Sequence, residues 1–194
     1  MKRITVLLVG VALALAACDR STQGGPTTQT GGATTEAGSS TVEPDARTVA
    51  VYSAVVRQLV LEDHTFGDAE SPFERVFIDV RIDHGAGNPD AAPPSGSALS
   101  AEEQAAILRE LDDLPTVKFV EDPDSVILGK GRCAHVKGNG VLVTLGPISG
   151  GSERVTVPND IFFACLGGQW LTYVLEQRDD DWRVTGTTGV IGIS

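Results

Sequence analysis

From Asp19 to about Pro44 the chain is built almost wholly of Thr, Gly, Ser, Gln and Ala, and at Asp45 that bias ends. This break constrains the fold more than any other feature. A segment with so little apolar surface cannot offset the entropy of ordering itself, so residues 18–44 are expected to form a flexible tether. Everything that can fold cooperatively then lies in residues 45–194, the size of one ordinary domain. A chain of that length buries about two-thirds of its unfolded surface, enough for one hydrophobic core. As a Gly/Ser-like coil the tether would span roughly 28 Å root-mean-square, and about 90 Å when fully drawn out. Its Thr content also leaves O-glycosylation open.

Within the domain the apolar period changes along the chain. Tyr52, Val55, Val56, Leu59 and Val60 recur at helical spacing, which predicts a helix from an Asp45 cap to about Glu62, ended by His64–Gly67. Val76, Ile78, Val80 and Ile82 then alternate with Phe77, Asp79, Arg81 and Asp83, the period of a strand with one face buried. A loop rich in Gly, Ala and Pro follows, from Gly85 to Gly96. Ser100 and Glu103 have the spacing of a capping box, and the second helix carries Ile107, Leu108, Leu111 and Leu114 before Pro115 stops it.

After Pro115 the pattern is β. Thr116–Val120 reads as a short strand, and Asn139-Gly140 as a tight turn pairing Cys133–Lys137 with Val141–Leu145. Arg154–Val157, Ile161–Leu166, Trp170–Gln177 and Trp182–Thr188 are the remaining strands, separated by Gly167-Gly168 and by Asp179-Asp180-Asp181. Helices early and an antiparallel meander late predict an α+β domain. Two helices pack on one face of a mostly antiparallel, curved sheet of about five to seven strands. In outline this is similar to the cone-like α+β folds related to nuclear transport factor 2, with a different helix order. The hairpin Gly168–Glu176 with Asp181–Val184 resembles one that recurs in exported bacterial proteins.

The N-terminus supplies an address. Lys2-Arg3 precede an apolar run from Ile4 to Ala14, too short for a bilayer core of about 30 Å, which needs roughly 20 helical residues. Leu15-Ala16-Ala17-Cys18 follows, and this ending resembles the lipobox of bacterial lipoproteins. The resemblance implies that residues 1–17 are a signal peptide that is removed. It further implies a diacylglycerol on the Cys18 thiol and a mature protein held on the extracytoplasmic face of the cell membrane. Two acyl chains make a lasting anchor where one does not. Asp19 is similar to the residue that retains some such proteins at an inner membrane. Arg outnumbers Lys, as in the GC-rich genomes of actinobacteria, whose uncharacterised exported lipoproteins the body of the chain resembles.

With Cys18 lipidated, Cys133 and Cys165 remain, and outside the cytoplasm an even pair is expected to form a disulfide. A metal-binding thiol is the competing reading, with His135 two residues from Cys133, but two Cys and one His leave a zinc shell incomplete. No metal or cofactor is expected. Glu121, Asp122 and Asp124 lack the order of a calcium loop, and Ser149 and Ser152 lack a nucleophile elbow. The net charge of −11 opposes phosphate backbones, so nucleic acid is not an expected partner.

Three functional classes remain. The first is a non-catalytic module that binds an envelope protein or supports an assembly. The second is a binder of a small apolar ligand in a helix–sheet pocket, with Phe162, Phe163, Trp170 and Tyr173 as candidate liners. The third is a hydrolase, with His64, Asp79 or His135 as its nominees.

Overall fold

The computed structural model describes residues 43–64, 71, 73–91, 95–130 and 134–194. Helix α1 (Ala46–Arg57) starts where Asp45 places its carboxylate on the amides of Arg47 and Thr48, both at 3.2 Å. That bond set satisfies two of the donors every helix start leaves open. The expected helix does reach Glu62, but its last turn, Gln58–Glu62, is π-helical, closed by Asp63 N–H to Gln58 O at 2.9 Å. The wider turn leaves Leu59 and Val60 both fully buried. Helix α2 (Ala101–Glu110) has the predicted capping box: Ser100 Oγ accepts from Glu103 N at 3.1 Å, and Ser100 N donates to Glu103 Oε2 at 2.8 Å.

The strands are β1 (Arg75–Ile82), β2 (Thr116–Val120), β3 (Ile127–Leu128), β4 (His135–Val136), β5 (Gly140–Leu145), β6 (Ser149–Gly150), β7 (Arg154–Ala164), β8 (Gly167–Arg178) and β9 (Asp181–Ile193). Seven of them form one sheet in the order β2-β1-β5-β7-β8-β9, with β6 against β7, while β3 and β4 form a separate ribbon. The α+β class is as expected, and most pairs are antiparallel, but β1 runs parallel to both β2 and β5. A central parallel strand is covered on both faces, which explains why Phe77 and Asp79 are buried along with Val76 and Ile78.

One face carries the main core. Val51 and Val55 of α1, Leu59 of the π-helical turn and Ile107 of α2 share one core with Val76, Ile78, Val143, Val157, Leu171, Tyr173 and Leu175 from the sheet. On the other face, a short 3-10 turn (Pro123–Val126) and the β3–β4 ribbon bury Val126 and Val136 against Phe77 and Leu142, a second and smaller core.

Two expectations fail here for local reasons. Gly138 and Asn139 do turn the chain, at φ +65° and +49°, yet β4 pairs with β3 rather than with β5, so Asn139-Gly140 is not the tip of a hairpin. Arg154–Val157 and Ile161–Ala164 are parts of one strand, β7, which runs through Pro158 and ends two residues short of the expected Leu166. A proline fits because β7 is bordered by β5 only from Asn159 onward and by β6 only as far as Thr156. Its missing N–H falls in the gap between those two partners, and its carbonyl still accepts from Gly146 N at 2.8 Å.

Candidate functional site

A recess whose charged residues are all cationic lies at the β2 edge of the sheet. Successive residues of a strand alternate faces, so the register pairs Arg75–Thr116 and Phe77–Lys118 stand together on the outer face. The 3-10 turn contributes Ser125 and Val126 opposite them, and the turn after β4 contributes Lys137. The resulting groove encloses about 540 Å³, with Val120 along one side. Lys137 Nζ donates to Ser125 O at 3.1 Å and lies 5.8 Å from the centre of the buried Phe77 ring. The Arg75 guanidinium crosses the turn so closely that a Cβ on Gly138 would sit 3.1 Å from its Cζ.

Among the described residues, none of Arg75, Lys118 and Lys137 has a carboxylate at ion-pair distance. Acids adjacent in the chain are committed elsewhere. Glu74 Oε1 accepts from Asn139 Nδ2 at 3.2 Å, and Asp122 Oδ1 accepts from Asp124 N at 3.1 Å to cap the 3-10 turn.

A second feature is a covered carboxylate. The loop after β1 folds over the outer face, pinned at both ends by Asp83 Oδ1, which accepts from Gly85 N and Ser95 N at 3.0 Å each. At its turn Gly87, at φ +80°, comes within 3.0 Å of Leu171 O measured from an added Cβ, so no side chain is accommodated there. The Gly87 amide donates to Asp160 Oδ1 at 2.6 Å. Burial pushes the Asp160 carboxyl up to about 7; the Gly87 amide opposes that rise and the nearby Asp83 charge adds to it. Burial likewise raises Asp79, which accepts from Arg81 N at 2.9 Å and has the Arg81 Nε 3.8 Å away.

A third recess, of about 410 Å³, is lined by Phe73, His135, Val136, Asn139, Gly140, Phe163 and Ala164. The Phe73 and Phe163 rings are 5.6 Å apart, and His64 sets its ring edge-on to Phe73 at 6.3 Å.

The four aromatic residues expected to line one ligand pocket are divided between the faces of the sheet. Phe162 joins the small outer core, and Phe163 lies in the third recess. Trp170 is on the outer face of β8 opposite Asp160, and its ring would be 3.5 Å from a Cβ on Gly192. Tyr173 is fully buried in the main core, its hydroxyl donating to Asp63 Oδ2 at 2.7 Å. Packing sets these positions, because adjacent residues of a strand must face opposite ways.

Cys165 is an exposed free thiol in the turn between β7 and β8, while Cys18 and Cys133 lie outside the described residues. No group of three or more His, Cys, Asp or Glu among the described residues is arranged to hold a metal ion. The cationic groove and Asp160 were not singled out from sequence. Arg75, Lys118 and Lys137 are far apart in the chain and share no motif, and only the parallel β1–β2 register brings the first two together.

Among the described residues no helix is long and apolar enough to cross a membrane. Compared with protein-family models, with curated proteins and with solved structures, the chain matches none.

Proposed function

We propose that this chain is a lipid-anchored extracytoplasmic lipoprotein whose folded domain is a non-catalytic binding module of the cell envelope. The observation that carries the binding role is the groove of Arg75, Lys118 and Lys137, three cations without carboxylate partners in a chain of net charge −11. Leu15-Ala16-Ala17-Cys18 supports the location, and the Thr/Gly/Ser tract after it would let the domain work at some distance from the lipid surface. Fractionation tests the location. Cys18→Ala should move the protein from the membrane to the soluble extracytoplasmic fraction, and mass spectrometry of the wild type should find an acylated peptide beginning at Cys18. An unprocessed N-terminal methionine in the native protein would overturn the anchor.

In such a compartment Cys133 and Cys165 are proposed to be bridged. A bridge closing that loop is worth about 3–4 kcal/mol on the chain-entropy model. Peptide mapping without reductant should recover Cys133 linked to Cys165. Two alkylatable thiols in protein taken directly from the envelope would refute the bridge. A second reading, an apolar-ligand binder, is supported by the aromatic recess of Phe73 and Phe163, although of the four expected liners that recess contains Phe163 alone.

A further inference from the structure

Gathering like charges on one wall is unfavourable unless something of opposite sign offsets it. Two ordinary explanations cover part of the groove. A lysine on an edge strand guards against pairing with other chains, and that suffices for Lys118 on β2. An ammonium group is drawn to the face of an aromatic ring, and Lys137 Nζ stands over Phe77 in this way. Neither accounts for Arg75. It stands on β1, an interior strand, with its guanidinium laid across the Lys137–Asn139 turn, on the same groove wall as Lys118.

Beside the cations the groove has apolar surface from half-buried Val120 and buried Phe77 and Val126, with Thr116 and Ser125 as its neutral polar residues. A guanidinium presents a planar fork suited to the paired oxygens of a carboxylate or phosphate, and two ammonium groups add point charges. The rest of the domain, rich in Asp and Glu, repels anions, so this groove is a local exception to the global sign.

We infer that the groove of Arg75, Lys118 and Lys137 binds a single anionic group, phosphate or carboxylate, carried on a short apolar stem that rests on Val120. This deepens the proposed binding role by giving the chemical class of its ligand, and it rests on that reading only for its biological setting. The anionic head fits between the guanidinium and the two ammonium groups, and the stem replaces water against the Val120 side chain.

The test uses the full-length protein with phenyl phosphate, benzoate and phenol as probes, followed by line broadening of the ligand resonances at low salt. Phenyl phosphate or benzoate should bind saturably, and the tighter of the two identifies the head group, while phenol should bind at least about tenfold more weakly. Raising salt from about 20 mM to about 500 mM should weaken the anion severalfold, because exposed charges are screened. Lys118→Glu, at an exposed position, should weaken the anion about tenfold or more. If that variant fails to fold, Lys118→Gln should still give a loss of about threefold. Equal binding of phenol and phenyl phosphate, no saturable binding by either anion, or unchanged affinity in the Lys118 variant would each overturn the assignment. These outcomes are independent of acylation. Release of the Cys18→Ala protein into the soluble fraction with anion binding retained supports both claims, and its release with no anion binding overturns the ligand alone.

Discussion

Tyr173→Ala is expected to bring the domain to the edge of unfolding at room temperature. Tyr173 is fully buried in the middle of β8 and is among the largest side chains sealed from water, in the main core to which both helices contribute. Removing a buried aromatic side chain costs about 3–5 kcal/mol, part from lost transfer and part from the cavity left behind. A natural domain has only about 5–15 kcal/mol in total. The hydroxyl has a separate job, because its bond to Asp63 fastens the end of the π-helical turn to the sheet. Tyr173→Phe removes that bond alone and should cost about 1–2 kcal/mol. Urea denaturation of the three proteins checks the ladder. A Tyr173→Ala midpoint close to that of wild type would mean that the helices do not close over β8 as described.

Asp160→Asn should make the domain more stable above neutral pH, an unusual result for replacing a buried hydrogen-bonded acid. The folded carboxyl is held at about 7, above its ordinary value of 3.8. The folded state therefore binds the proton more tightly than the unfolded chain does. That contribution is full below about pH 4 and is lost progressively as pH rises from about 4 to 7, above which the charged group remains buried at a cost. A shift of about three units corresponds to roughly 4 kcal/mol. Because Asp160 is only half-buried, about 2 kcal/mol is the better expectation. Asparagine keeps an oxygen for the Gly87 amide and carries no charge. Its stability should be nearly flat over that interval where the wild type declines. Denaturation midpoints at pH 5 and pH 8 decide the matter, and an identical decline in both proteins would remove Asp160 as its source.

Legibility from sequence followed the range of the interaction. The Asp45 cap, the Ser100–Glu103 box and the alternation of β1 are signals confined to a few residues, and each corresponds to an observed element. Long-range partners were another matter. Alternation in β1 shows that one face is apolar but does not show that β2 and β5 flank it in parallel, so Phe77 and Asp79 read as solvent-facing when they are covered. Pro158 sits within β7 although a proline lacks a donor, and only the vacancy between β5 and β6 makes it harmless. The site suffered most. A metal shell or nucleophile elbow has a spacing that can be searched for, whereas Arg75, Lys118 and Lys137 meet through sheet register and a turn.

The arrangement around β1 also governs when the domain can form. Ribosomes deliver β1 well before either of its neighbours, since α2 intervenes before β2 and the β3–β4 ribbon before β5. Until those later segments arrive, Val76 and Ile78 have no neighbouring strand on either side, and contacts of such long sequence separation form slowly. A nascent chain of this design stays unfolded late into its synthesis, the condition in which a polypeptide can still be threaded through a narrow channel.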